Sequence, residues 1–265
     1  MSHARATAKI NLALVVGPRR EDGKHEVATV LQRIDLADGI SLAPGPSLEI
    51  AGFPDDTLVR DSLLALAEAA GVEPRWMVEI EKRIPVGSGL GGGSSDAAAA
   101  LRLANETLPA PLPMERLHEI AAGLGADIPF FLTEGPQLGT GDGSNLEGLD
   151  LLDDYRVLLV LPAGAEKRST AAVYEAFDGA DGFAQRQTAL REAIALGDLA
   201  ALPANELASS PLADELKELG AFRADVTGAG PAVYGLFAGR EQAEAARRAL
   251  SSRGRTWLTA PAWYG

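Results

Sequence analysis

Apolar positions recur at every second residue through the first part of the chain. Ile10, Leu12, Leu14 and Val16 alternate with smaller or polar residues, so 5–17 is predicted as a strand and 26–43 as its continuation. A polar, turn-forming connection from Gly17 to His25 separates them. The spacing then changes to that of a helix over 57–70 and stops at Gly71. Alternation returns at 75–81, with Trp76, Val78 and Ile80 on one face. Ser94-Ser95-Asp96 opens an Ala-rich stretch to Asn105, a helix by propensity and capping. A further helix is expected at 113–122, ended by Gly123, before 125–131 leads into another extended piece.

Gly, Asp and Leu dominate 135–154, which suits turns and a domain boundary. Beyond it the pattern predicts a buried strand at 155–162 and helices at 169–178, 183–196 and 212–220. Short strands at 224–226 and 233–237, a helix at 240–251 and a last strand near 255–260 follow. No internal repeat of fixed period is visible. Helices and strands mix without strict βαβ alternation, so the expectation is an α+β chain in two lobes, 1–150 and 151–265.

Composition narrows the chemistry. With 265 residues, 46% of them apolar and 23% charged, the chain can bury a sizeable core without staples. It has no cysteine, which excludes disulfides, thiolate metal sites and thiol nucleophiles. A net charge of −13 and the lack of any Lys/Arg-rich run argue against nucleic acid as a partner. Binding a nucleotide would therefore need local backbone N–H groups and a few cations. The apolar start is interrupted by Lys9 and Asn11, so it reads as neither signal peptide nor membrane span, and a cytoplasmic location is expected.

Such a local feature exists. Pro85-Val86-Gly87-Ser88-Gly89-Leu90-Gly91-Gly92-Gly93-Ser94-Ser95 holds five glycines in eleven residues, between a strand and a helix. Glycine lets successive N–H groups turn inward and approach a ligand closely, and the helix start adds partial positive charge for a phosphate. Ser94 and Ser95 add hydroxyls that suit phosphate oxygens or a magnesium ion. A flexible linker with a Ser cap is the plain alternative, but such linkers rarely join a buried strand to a firm helix. Gly87 to Gly92 satisfies GxGxxG, yet a Pro-rich turn and another helix follow where a dinucleotide fold needs a strand. No lysine follows the glycines, so this is not the GxxxxGK[ST] loop either.

Other residues are open to two readings. Asp127, between Gly125-Ala126 and an apolar run, suits a carboxylate that takes a hydroxyl proton, or a turn and cap residue. Lys9 inside an apolar strand needs a carboxylate partner, for which Asp127 is the candidate, or snorkels at a sheet edge. Asn11 points the same way along the strand and suits a substrate contact. His25 reads as a turn histidine and Tyr174 as a half-buried helix tyrosine. His3 and His118 read as surface residues.

Taken in order, these segments resemble the GHMP kinases, which include galactose, homoserine, mevalonate and phosphomevalonate kinases. The glycine loop resembles their ATP loop, Ala8-Lys9-Ile10-Asn11-Leu12 an amino-terminal motif, Gly125 to Phe131 the catalytic segment, and Thr227-Gly228-Ala229-Gly230-Pro231 the carboxy-terminal glycine motif. Asp22-Gly23-Lys24-His25 is similar to the Asp-Gly-Tyr-His turn of those members that phosphorylate 4-diphosphocytidyl-2-C-methyl-D-erythritol. The resemblance spans nearly the whole chain. It implies a two-lobed fold, with a first lobe like ribosomal protein S5 domain 2 and a ferredoxin-like second lobe.

It also implies transfer of the ATP γ-phosphate to the C2 hydroxyl of that cytidyl acceptor. Mg²⁺ would be carried mostly by ATP phosphates and water. Asp127 would be the base and Lys9 its partner. His25 would contact the cytosine edge, Tyr174 would stack on it, and Thr227, Gly228 and Gly230 would lie near the phosphates. One position departs: Lys24 stands where the family has a tyrosine on the other face of the base, leaving a cation–π or diphosphate contact as its possible use. Other readings are a GHMP kinase for another small alcohol or phosphorylated alcohol, a silent sensor of the same fold, and, remotely, a dehydrogenase. The expected partner is a small molecule, and the chain is expected to be a monomer or homodimer.

Overall fold

The computed structural model describes residues 1–53, 57–165, 169–179 and 181–263. The first half runs β1 (Ser2–Arg19), β2 (His25–Pro44), β3 (Glu49–Ala51), α1 (Thr57–Ala70), β4 (Trp76–Glu81), α2 (Gly92–Glu106) and α3 (Met114–Leu124). A 3₁₀ turn (Pro129–Leu132), β5 (Gln137–Gly141) and β6 (Asn145–Gly148) complete it. The second half runs β7 (Arg156–Pro162), α4 (Thr170–Glu175), α5 (Phe183–Leu196), a 3₁₀ turn (Leu199–Ala201) and α6 (Pro211–Glu218). It continues with β8 (Arg223–Val226), β9 (Val233–Phe237), α7 (Arg240–Ala249), β10 (Gly254–Thr259) and β11 (Pro261–Ala262).

The long hairpin of β1 and β2 organises the first sheet. Its two strands pair antiparallel from Ser2 opposite Leu42 to Arg19 opposite His25. β2 extends roughly 65 Å at about 3.3 Å per residue, and its far edge serves three partners in turn. These are β5 along 27–31, β11 at Ile34 and Arg33, and β4 along 39–44. β3 and β6 finish the two ends. Residues 135–154, expected as turns, therefore include two strands: β2 leaves an open edge there, and pairing prevails over weak strand propensity. The last strand of the chain, β11, pairs with β2 and so joins the first sheet as well.

The second sheet has the order β10-β7-β9-β8, antiparallel throughout. In chain order that is 4-1-3-2, with helices after the first and third strands, which is the ferredoxin-like arrangement. The two sheets share a core: Ile10 and Val15 of β1 pack with Leu159, Leu190 and Tyr234. Residues 6–17 of β1 are consequently buried without a break, because α2 covers one face and α5 lies against the strand as well. Ala97 to Ala100 let α2 sit close on the sheet. Below Asp127, Phe130 and Phe131 are buried, with the Arg33 guanidinium over both rings at 5.2 and 5.4 Å. The segment after residue 128 is thus a 3₁₀ anchor, and the extended piece it leads into is β5.

Candidate active site

The glycine loop lies between β4 and α2, and the helix begins at Gly92, two residues before the serine start expected from the sequence. Gly91 caps it in the left-handed region at φ 72° and, having no side chain, makes no side-chain cap hydrogen bond. The first N–H groups of α2 are left for an anion. A Cβ at Gly91 would stand 3.0 Å from Lys9 Cγ and from the Phe131 ring, and one at Gly89 (φ 85°) would overlap the Thr227 carbonyl. Ser88 is buried and donates its hydroxyl to the Pro85 carbonyl at 2.6 Å, closing the loop on itself. Behind it, the Ala232 N–H donates to the Ser88 carbonyl at 3.0 Å.

Lys9 and Asp127 meet beside this loop. Their Nζ and Oδ2 are 3.4 Å apart; the lysine side chain is 4% exposed and the aspartate 43%. The Lys9 N–H donates to the Leu90 carbonyl at 3.0 Å, which ties β1 to the loop. Its ammonium donates to Asn11 Oδ1 at 2.7 Å, Asn11 Nδ2 donates to Thr29 Oγ1 at 2.8 Å, and Thr29 donates to the Ala13 carbonyl at 2.8 Å. Asn11 N–H in turn donates to Thr227 Oγ1 at 3.0 Å. Lys9 is therefore aimed by a chain of buried hydrogen bonds, and the exposed oxygen of the pair belongs to Asp127. A carboxylate that faces the cleft beside a fixed ammonium can take a proton while the cation offsets charge on an attacking oxygen.

The far end of the cleft is built from side chains. His25 is buried, not a surface turn residue, because its ring sits between Tyr174 at 5.9 Å and Phe177 at 5.7 Å. Its Nδ1 is 2.8 Å from the Gly17 carbonyl oxygen. A carbonyl only accepts, so Nδ1 carries the hydrogen and Nε2 of the neutral ring is an acceptor. That Nε2 is buried without a hydrogen-bond partner in the protein. Burial and the nearby Asp127 push the Tyr174 phenol upward, so it stays neutral. Lys24 joins Asp142 at 2.5 Å across the tips of two hairpins. Burial alone would raise the Asp142 carboxyl, but Lys24 and the Ser144 hydrogen bonds prevail and hold it at about 2.

A cluster absent from the sequence expectations anchors the loop's other flank. Lys82 Nζ lies 2.5 Å from Asp38 and 2.7 Å from Asp96, both carboxylates fully buried. Burial would lower the ammonium; the two carboxylates outweigh it and raise it. Asp38 also accepts the Ile84 N–H at 2.8 Å, where the loop begins. The available signal was Asp96 at the head of a run of alanines and Lys82 just past an alternating strand.

One cleft of about 1040 Å³ unites these parts, and it is lined by the loop from Pro85 to Ser94 with Lys9, Asn11, His25, Lys24, Lys82, Asp127, Tyr174 and Gly228. Ser95 is buried within α2 and does not line it; Thr227 and Gly230 stand behind the wall. Among the described residues no three His, Asp or Glu gather as a metal site, and no helix is long and apolar enough to cross a membrane.

Residues 57–135 match the family described as GHMP kinases N terminal domain, and 184–256 match GHMP kinases C terminal. The chain is 37% identical to 4-diphosphocytidyl-2-C-methyl-D-erythritol kinase of Geobacter sulfurreducens, over 97% of this chain and 96% of that protein. It is 38% identical to the protein of the same name from Citrifermentans bemidjiense, over 96% of each. A crystal structure of 4-(cytidine 5'-diphospho)-2C-methyl-D-erythritol kinase superposes with TM-score 0.82 at 31% identity over the whole of both chains. The Methanococcus jannaschii mevalonate kinase shares the fold, with TM-score 0.76 at 15% identity over 98% of each chain. With matches to both domain families, near-complete coverage by relatives and the same fold, the chain belongs to the GHMP kinase family.

Proposed function

We propose that the protein transfers the γ-phosphate of ATP to the C2 hydroxyl of 4-diphosphocytidyl-2-C-methyl-D-erythritol, a step of non-mevalonate isoprenoid biosynthesis. The observation that carries this reading is the Lys9–Asp127 pair, held at 3.4 Å between the glycine loop and the His25–Tyr174 end of one cleft. The loop N–H groups from Gly87 to Gly93, with Ser94, cradle the triphosphate, and Gly228 closes its other side. Pro85, Val86 and Ser88 shape the loop, and Ser95 fixes the first turn of the helix behind it. We divide the chain into an ATP-binding lobe, 1–150, and a second lobe, 151–265, whose β11 adds to the sheet of the first.

The acceptor hydroxyl lies against Asp127, which takes its proton as the oxygen attacks the γ-phosphorus and the bond to the β-phosphate oxygen breaks. Lys9 offsets charge on the attacking oxygen, and Asn11 keeps Lys9 in place while facing the substrate. His25 Nε2, a buried lone pair, accepts from the exocyclic amino group of cytosine, whereas a uracil carbonyl would oppose it. Tyr174 offers a ring face to the base. A magnesium ion suits this donor set only as a passenger of the triphosphate. Ser94 Oγ, at the start of the helix, would help hold it, and it would lower the charge on the phosphates.

The test is turnover with a panel of acceptors: the cytidyl compound, its uridyl counterpart, and small alcohols such as homoserine and mevalonate. The cytidyl acceptor should give the highest kcat/KM. Turnover confined to another alcohol would sink the acceptor assignment and leave a GHMP kinase of different specificity.

A further inference from the structure

We propose that Asn205 is a positioning residue for the triphosphate, holding the turn from Thr227 to Gly230 against the glycine loop from the side away from the ligand. Asn205 lies between a 3₁₀ turn and α6, outside every motif read from the sequence, and is 8% exposed. Its amide group is fully employed. Nδ2 donates to the Val226 carbonyl at 2.8 Å and to the Gly228 carbonyl at 2.7 Å, and Oδ1 accepts the Leu207 N–H at 2.8 Å. Its own N–H donates to Asp225 Oδ2 at 2.7 Å, and the other Asp225 oxygen accepts the Val226 N–H at 2.8 Å.

What Asn205 grips is the part of the second sheet that meets the phosphate loop. Gly228 lines the cleft. Next to it, the Thr227 hydroxyl lies 3.4 Å from the Gly89 carbonyl and accepts the Asn11 N–H at 3.0 Å. Gly89 itself has no room for a side chain against this turn. A shift of the turn would therefore be felt both by the glycine loop and by the strand that carries Lys9.

The neighbouring residue fixes the grip to that same strand. Glu206 N–H donates to the Leu14 carbonyl at 3.1 Å, and Glu206 Oε2 accepts the Val16 N–H at 2.7 Å. Its second oxygen pairs with Arg186 at 2.5 Å. Residues 205 and 206 thus span from β1 to the turn and set the distance between them. An amide is the one side chain of this size that can donate two hydrogens to two carbonyls while accepting a third bond.

The proposal rests on the reading that Gly228 faces the triphosphate. Its test uses the full chain with Asn205→Asp and Asn205→Ala, measuring kcat and both KM values beside the thermal midpoint. Asn205→Asp points oxygens at two carbonyls and should raise the KM for ATP roughly tenfold, with the acceptor KM within about twofold. Below about pH 6 its carboxyl, between those carbonyls and Asp225, should take a proton, donate one bond and recover part of the loss; Asn205→Ala should show no such recovery. Equal loss for both substrates, or unchanged constants in a folded variant, would overturn the proposal. Should neither variant fold, amide exchange of the unmodified protein decides. A non-hydrolysable ATP analogue should protect 205–207 together with 226–230, and protection of the glycine loop without 205–207 would overturn it. An unmodified protein that neither binds nor turns over ATP would instead count against the proposed function.

Discussion

The two ends of the cleft are built on different principles. At the proposed donor end the groups that would face the ligand are main-chain N–H groups on one continuous segment, and the side chains are mostly hydrogen atoms. At the acceptor end the groups are side chains: His25 from the first hairpin, Tyr174 from α4, and the Lys24–Asp142 pair from the tips of two hairpins. A main-chain cradle reads charge and shape, which every nucleoside triphosphate shares. A side-chain cradle reads the pattern of donors and acceptors, which distinguishes one acceptor from another. Phosphate recognition can therefore stay constant in this fold while acceptor choice varies, and each end should be separately breakable.

The largest effect belongs to the point where the ends meet. Asp127→Asn keeps the shape and removes the proton acceptor. Turnover should fall by about 10²–10⁴-fold while the affinity for either substrate alone stays within a few-fold, read by steady-state kinetics and by calorimetric titration. Near-normal turnover would show that Asp127 is not the base, and a matching loss of ATP affinity would show that the two ends are not separable there.

A pair of substitutions then divides the ends. Gly89→Ala places a Cβ against the Thr227 carbonyl at φ 85°. Strain of about 1–3 kcal/mol there should raise the KM for ATP by roughly 5- to 150-fold and leave acceptor binding intact. Tyr174→Ala removes a stacking face worth about 1–3 kcal/mol, and should do the converse. If either change moved both KM values together, the division of labour between main chain and side chain would be wrong.

The same contrast explains what was legible from sequence. Five glycines between Gly87 and Gly93, directly before a helix, mark a candidate phosphate loop from local sequence, because close main-chain approach requires missing side chains. The helices and the strands of the second sheet follow equally local signals. Taken alone, His25 reads as a turn residue and only the resemblance points it at a ligand, since its burial depends on Tyr174 and Phe177, some 150 residues on. The strands within 135–154 were missed because their stability comes from the free edge of β2 and not from their own composition. Asn205 and the Lys82–Asp38–Asp96 cluster left no motif at all: each is defined by which carbonyl or carboxylate the fold brings to it. Local backbone demands are written in runs of residues, and long-range hydrogen-bond partnerships are not.

The smallest expected effect concerns the ion pair at the acceptor end. Asp142→Asn removes the charge that Lys24 meets at 2.5 Å. The Lys24 side chain is 55% exposed, so the pair should contribute under about 1 kcal/mol, a shift of roughly 2–4 °C in Tm. The pH dependence identifies the source. Asp142 is held near 2 in the folded protein against an ordinary 3.8, so its contribution is complete above about pH 4 and is lost as pH falls through 2. The difference in urea midpoint between the unmodified protein and the variant should thus be constant from pH 7 to 5, narrow below pH 4 and close near pH 2. Acceptor KM should change by less than about threefold, because Lys24 survives with its charge and gains freedom to meet the acceptor's diphosphate. A midpoint gap that persisted undiminished to pH 2 would assign the stabilisation to the uncharged Ser144 contacts, and a large rise in acceptor KM would make Asp142 part of the recognition surface.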